Sequence, residues 1–398
     1  MAPFVIGNLL WTLEVAQKEG LRELFFVARD GQLLCDVARE LAPKVGYKGK
    51  LSYIYGSRQA WALAGITDEH QDCFLPLIPD DESDVSVSLE CALDRLQVTP
   101  EEMAAPLLNA GFERDRWNQT LQPGDAPRLR DVLTYDPEAA NLVARRAKES
   151  RELVLGYLEQ VGAITSDPIG FVDLGTGATL FNSLSAILAT VGQQPPLGFY
   201  FGLRSSLPNA GFGEPLTYVR NVDDQTGFIR TPGLLTMVEL ACTADHGSVL
   251  GYSELYGQIA PVLAESDNAE VVEWGLPIVR ETVMRVAKEL LLDADLVGTE
   301  AIDLRPAILD VFTLFWTSPT KSEAEVWGAY PFEDGWGERS VNRKIAEPQK
   351  LLDSIKPNPH RHWWQAGANE LSGPVCKTAF ESRRLLLDFR DRVRGRLF

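Results

Sequence analysis

Two short segments constrain this chain more than any other feature. Leu24-Phe25-Phe26-Val27-Ala28-Arg29-Asp30-Gly31 is one, and Ile169-Gly170-Phe171-Val172-Asp173-Leu174-Gly175-Thr176-Gly177-Ala178-Thr179 is the other. Each runs from a short apolar stretch into an aspartate and a glycine turn, and then into a helical pattern. A continuous apolar run closed by a turn reads as a strand buried on both faces, the habit of parallel sheets covered by helices. In such sheets the turns that follow the strands gather at one edge, where helix N-termini aim backbone N–H groups at anions. Two such turns suit a ligand phosphorylated at both ends.

The flanking pattern agrees with an α/β fold. Residues 4–20 carry a helical period ending at Gly20, and a helix over 32–42 is expected to end before Pro43. A second strand is expected at 51–55, followed by Gly56-Ser57-Arg58. Short helical patterns near 86–96, 99–110 and 137–161, with the acidic stretch Pro79–Asp84 before them, suggest a helical insertion or lid over 66–150. The α/β rhythm returns with a strand at 169–173, a helix at 179–191 and a strand at 197–203, which Gly202 and Pro208-Asn209 break. Beyond 232 the pattern is mostly helical, over 233–244, 268–292, 305–316, 345–354 and 374–396. The expected organisation is therefore an α/β core from 1–65 and 151–232, the 66–150 insertion, and a helical region over 233–398.

Charge and cysteine usage exclude some functions. A net charge of -18 over 398 residues leaves no Lys/Arg excess for broad nucleic-acid or anionic-membrane binding. Cys35, Cys73, Cys91, Cys242 and Cys376 are scattered singly with no CxxC, which favours reduced thiols and a cytoplasmic location over a disulfide frame or zinc site. No run approaches the ~20 apolar residues that span a bilayer, and no basic region precedes the first apolar run as in a signal peptide. His360 and His362 read as part of a solvated loop rather than a metal pair.

In the second turn, Asp173 sits at the strand end. Gly175 and Gly177 allow a tight turn, Thr176 and Thr179 offer hydroxyls, and the helix following Ala178 adds its positive end. This makes a cup for a phosphate monoester, with Asp173 accepting from sugar hydroxyls; a purely structural turn is the alternative. It is neither a P-loop nor a GxGxxG turn. In the first turn, Arg29 suits an anion, and Asp30 suits a water-bridged Mg²⁺ or a general base; the alternative is an internal Arg29–Asp30 pair. Ser57 and Arg58 offer further contacts and a second cation at the same edge, or else simply begin a helix. Glu239 and His246 can reach the site from a helix and its exit loop, although a lone histidine also serves at helix ends and in cores. Glu323, Trp327 and Tyr330-Pro331-Phe332 suit packing or an acceptor groove, and Trp363-Trp364 a sugar platform or core. Two near-motifs point elsewhere. Ala28-Arg29-Asp30-Gly31 imitates a DxDG phosphatase start, but Ala28 stands where the nucleophile is needed. Asp293–Val297 satisfies DxDxV at the end of a helical pattern, without a buried strand before it.

The order of six segments is more specific than any one of them. The 26–31 turn, Tyr53–Arg58, "FVDLGTGATL", "GFYFGL" (198–203), "VELACTADHGSVLGY" (238–252) and "EAEVWGAYPFED" (323–334) together resemble a group of bacterial polysaccharide-biosynthesis proteins, often labelled predicted haloacid-dehalogenase-type hydrolases. The resemblance runs from about 4 to 335 and is to the second domain of those proteins, which often follows a phosphatase domain. That domain is similar to type I phosphoribosyltransferases acting as glycosyltransferases. The resemblance implies a Rossmann-like parallel sheet of type I phosphoribosyltransferase kind. It implies transfer of 5-phosphoribose from 5-phosphoribosyl diphosphate (PRPP) to a lipid-linked glycan acceptor, with Mg²⁺ as cofactor and a separate or fused phosphatase as partner. By position, Asp173, Thr176, Gly177 and Thr179 match the loop for the 5-phosphate and ribose, and Arg29, Asp30 and Gly31 the pyrophosphate loop. The usual loop is longer and carries two adjacent acids; here Leu174 follows Asp173. Asp30 is the first candidate for the base and Glu239 the second. The rival expectations are a phosphatase acting on a phosphosugar and a non-catalytic nucleotide-sugar or partner-binding module.

Overall fold

Five strands, all parallel, form the centre of the protein in the order β2-β1-β3-β4-β5. The computed structural model describes residues 1–67, 77–78, 87–175, 177–203, 215–219, 234–265, 269–290, 300–334, 341–351, 364–379, 382 and 385–386. The first half contains α1 (Ala2–Lys18), β1 (Glu23–Val27), α2 (Gly31–Val45), β2 (Lys50–Ile54), α3 (Arg58–Ala62), α4 (Leu89–Asp94), α5 (Ala104–Asn109), α6 (Asp125–Tyr135) and α7 (Pro137–Gln160). Then follow β3 (Ile169–Asp173), α8 (Thr179–Ala189), β4 (Leu197–Gly202), β5 (Leu216–Val219), α9 (Leu234–Ala241), β6 (Val249–Leu255) and β7 (Gln258–Leu263). The remainder is α10 (Ala269–Trp274), α11 (Leu276–Glu289), α12 (Ala301–Thr317), α13 (Lys321–Gly328), β8 (Pro331–Asp334), β9 (Val341–Lys344) and α14 (Gln365–Leu371).

Alternation along β1 accounts for the three-layer build. Leu24 and Phe26 point into a core shared with α1, α2 and α12, while Phe25 and Val27 join α3, α7 and α8 on the other face. Phe25 stacks on Phe171 of β3 with ring centroids 5.2 Å apart. Each such side chain is fully buried, which is worth roughly 1.5–3 kcal/mol. With both faces covered, the strands must read as continuous apolar runs, as they do.

The structure corrects several expectations. Helix α2 continues through Pro43, because proline in the last turn removes only one N–H, and the chain then leaves through Gly46 at φ 78° with the Gly46 and Tyr47 N–H groups closing on the Ala42 carbonyl. The expected boundary at 150 falls inside α7, a single helix of 24 residues. Its first half (Leu142, Val143, Ala147) completes the core of the insertion with Leu93, Leu107 and Leu129, and its second half (Val154, Tyr157, Leu158) covers the sheet. The 268–292 helix is two helices, split at Gly275 with φ 126°. Residues 345–350 are not helical. The region over 233–398 is not mostly helical alone, since it includes the hairpins β6–β7 and β8–β9. The first turns at Tyr256-Gly257, both with positive φ (54° and 77°), as a two-residue hairpin turn requires. Strand β5 was also unanticipated.

Thr176, Cys73, the 79–84 stretch, Pro208-Asn209, Asp293–Val297, His360, His362 and Trp363 lie outside the described residues. Trp364 is core: it is fully buried, stacks on Trp316, and donates its indole N–H to the Trp316 carbonyl at 2.7 Å. No helix among the described residues is long and apolar enough to cross a membrane.

Candidate functional site

Strand β1 lies between β2 and β3, and Phe26 pairs with Val172. The chain leaves β1 toward β2 on one side and leaves β3 toward β4 on the other. The strand order thus reverses between β1 and β3, and the two turns flank the crevice that such a reversal opens at the carboxyl edge of a sheet.

The first turn is built for close approach. The Ala28 N–H extends the ladder to the Ile54 carbonyl at 2.9 Å, and the Ala28–Arg29 peptide bond is cis. A Cβ on Gly31 would lie 2.7 Å from the carbonyl carbon of Phe26, so only glycine lets α2 begin directly over β1. Asp30 precedes α2 without bonding the first amides of that helix. In the second turn the Asp173 carboxyl accepts from the N–H groups of Gly175 and Leu174 and from the Tyr200 hydroxyl. A Cβ on Gly175 would meet Asp173 Oδ2 at 2.9 Å. Gly177 is half-buried, Ala178 holds a left-handed conformation at φ 53°, and Thr179 opens α8. Asp173 therefore shapes its own loop, in addition to facing the crevice.

Electrostatics bind the two turns into one unit. Withdrawal from water is the largest influence on Asp30, raising its pKa to about 7; Arg29 opposes the rise, Asp173 adds to it and Arg58 opposes it. Burial likewise raises Asp173, against its amide and Tyr200 hydrogen bonds and the Arg58 charge. Arg29 and Arg58 are exposed cations, and Asp30 and Asp173 half-buried carboxyls, around the same crevice. Glu239, half-buried on α9, approaches from another side. Burial pushes the Cys242 thiol up, and both Asp30 and Glu239 reinforce the shift. Tyr330 donates its hydroxyl to the Leu240 carbonyl at 3.0 Å and also senses Arg29 and Asp30.

Two expected contacts take other roles. The Ser57 hydroxyl accepts from the Ala60 N–H at 3.0 Å, capping α3, and donates to the Val249 carbonyl at 2.5 Å. It is committed to structure. His246 Nδ1 faces the Gly247 carbonyl at 2.8 Å, which can only accept, so this nitrogen carries a proton; Nε2 is hydrogen-bonded with the Tyr53 hydroxyl at 2.7 Å. Both ring nitrogens of His246 are thus engaged by groups of the protein itself. It belongs to a strap, residues 242–252, laid over the ends of β1 and β2. Asp245 exchanges two hydrogen bonds with Gln32, at 2.7 and 3.3 Å, and the Tyr252 hydroxyl donates to the Tyr55 carbonyl at 2.5 Å. Glu323 closes a capping box with Thr320, and Trp327 packs on Trp274.

Sequence reasoning missed Tyr53, Tyr55 and Tyr200 as site residues, while Tyr330 was expected in packing or an acceptor groove. Tyr200 could be found only from sheet register, where it sits opposite Asp173. Among the described residues no group of three or more His, Cys, Asp or Glu side chains is placed to hold a metal ion. A cation at Asp30 would therefore need ligands from elsewhere, and Mg²⁺ commonly takes one or two carboxylates plus substrate phosphates and water. No family model and no curated protein matches this chain.

Proposed function

We propose that this protein is a phosphoribosyltransferase-type glycosyltransferase. It takes 5-phosphoribose from PRPP and passes it to a hydroxyl of a growing bacterial polysaccharide. One observation carries the reading: the Asp30 and Asp173 turns leave adjacent parallel strands at the point where the strand order reverses, with Arg29 and Arg58 beside them. A donor with a phosphate at one end of a ribose and a diphosphate at the other needs anion-binding turns on both sides of the sugar. The β3–α8 turn, from Gly175 to Thr179, would take the 5-phosphate on the N-terminus of α8. The β1–α2 turn, with Arg29, Gly31 and Arg58, would take the diphosphate. Asp30 is a fitting single protein ligand for Mg²⁺ carried in with that diphosphate, which would neutralise charge on the leaving group.

In the reaction, the acceptor oxygen forms a bond to the anomeric carbon while the bond from that carbon to the diphosphate oxygen breaks. The diphosphate leaves with the bonding electron pair. Positive charge develops on the ribose ring, and the Asp173 carboxylate is the nearby group of opposite sign. The acceptor proton goes to a base. With Asp30 holding the metal on the diphosphate side, Glu239, which approaches the crevice from another side, is the candidate base. Attack from the face opposite the diphosphate inverts the centre and yields a β-ribofuranoside, from which a phosphatase, separate or fused, would remove the 5-phosphate. A phosphatase reading of this chain is less well supported: Ala28, at the end of β1, has no nucleophilic atom.

Calorimetry with PRPP and Mg²⁺ tests the proposal. Binding that is lost in Asp173→Ala and weakened in Asp30→Asn supports it. No binding to the wild type, or binding indifferent to both substitutions, refutes it.

A further inference from the structure

Beside the crevice, three aromatic rings pack against one another. Tyr53 and Tyr55 are separated by 5.2 Å between ring centroids, Tyr55 and His246 by 5.2 Å, and Tyr53 and His246 by 5.9 Å. All three residues are half-buried, so each keeps part of its surface toward water. Their place is fixed by sheet register. Phe26 pairs with Tyr53 and Val27 with Ile54, which sets Tyr55 alongside the Ala28-Arg29-Asp30 turn.

The platform is held rigid from several directions. The Tyr53 hydroxyl is bonded to His246, and the Tyr55 backbone receives the Tyr252 hydroxyl on its carbonyl and donates its N–H to the Tyr157 hydroxyl at 3.0 Å. The Tyr55 phenol oxygen, by contrast, has no hydrogen bond among the described residues. An aromatic ring beside the turn, with a hydroxyl that bonds nothing among the described residues, matches the two sides of a sugar, an apolar C–H face and a ring of hydroxyls. The electrostatics narrow the class further. At Tyr53 the Asp30 and Asp245 carboxyls outweigh the one cation that acts on it, Arg280. A negatively charged sugar would be repelled.

We infer that Tyr53, Tyr55 and His246 form the acceptor subsite, and that it takes an uncharged hexose residue of the glycan. This rests on the proposal that the acceptor is a glycan, but its test does not need donor binding. Saturation-transfer NMR is run on the full chain with methyl glucoside, methyl galactoside and, as the charged control, methyl glucuronide. At least one neutral glycoside should receive saturation from the aromatic protons, and the glucuronide should receive about fivefold less. Tyr55→Ala should lower the neutral signal about fivefold while leaving the PRPP Kd within about twofold. If Tyr55→Ala does not fold, ring-labelled wild-type protein is used to look for sugar-to-ring Overhauser contacts, with the Tyr55 resonance assigned from Tyr55→Phe. The inference is overturned if no neutral glycoside is saturated, if the glucuronide is preferred, if Tyr55→Ala keeps the full signal, or if the contacts miss Tyr55. Loss of PRPP binding in the wild type alongside a positive glycoside result would refute the transferase reading and leave the sugar subsite standing.

Discussion

The carboxyl of Asp173 makes Asp30 harder to ionise across the seam between β1 and β3. Together with burial, and against Arg29 and Arg58, this leaves Asp30 with a pKa of about 7. A raised carboxyl pKa means that the folded protein binds the proton more tightly than the unfolded chain does. The associated stability is therefore fully present below the unfolded value near 4 and is lost as pH rises toward 7. Asp30→Asn should remove that loss. In the ligand-free protein, Asp30→Asn should be more stable than wild type by about 1–2 kcal/mol at pH 8 and near-equal at pH 4.5, a range set below the full ~1.4 kcal/mol per pKa unit because Asp30 is only half-buried and water screens its charge. Denaturant unfolding at the two pH values checks this. An equal effect at both would show that Asp30 is not titrating as described.

Arg58 is the first residue of α3 and acts on both carboxyls. Arg58→Gln should therefore have two consequences. It should weaken PRPP binding by about 10- to 100-fold, the worth of one charge-assisted contact. It should also move the Asp30 titration upward, since a cation that opposes the rise is gone. Calorimetry reads the first and carboxyl-labelled NMR the second.

Ser57 lies one residue earlier and should behave differently. Its hydroxyl caps α3 and ties that helix to Val249 of the strap. Ser57→Ala should cost about 1–2 kcal/mol of stability and change the PRPP Kd by less than about threefold. A large affinity loss without a stability loss would return Ser57 to the ligand.

Gly31 is required by packing before any question of ligand arises. A Cβ there would meet backbone, the Phe26 carbonyl carbon at 2.7 Å, and backbone cannot rotate away as a side chain can. Gly31→Ala should destabilise by about 1–3 kcal/mol and displace the start of α2, measured by thermal unfolding and by loss of anion binding. Gly46→Ala, by contrast, has open space for the new methyl but a left-handed φ of 78° to maintain, and should cost about 1 kcal/mol.

Much of the site was written in local sequence. An apolar run such as Leu24–Val27, closed by Arg29-Asp30-Gly31, can hardly be anything but a buried strand entering a helix, because both consequences follow from neighbours within a few residues. The same holds for Phe171–Thr179. What local pattern could not supply was register and long-range pairing. That Asp173 bonds Tyr200 depends on how β3 aligns with β4. That His246 is hydrogen-bonded within the protein depends on Tyr53, 193 positions away, and that Ser57 is spent on structure depends on Val249, 192 positions away. The continuity of α7 across the expected boundary reflects two cores meeting on one helix. Sequence by itself determined β1 to β4, the turns after β1 and β3, and the carboxylates in them. Only the tertiary structure decided which strands are neighbours, which side chains the strap occupies and how far burial raises Asp30 and Asp173, because those depend on groups brought together by folding rather than by spacing along the chain.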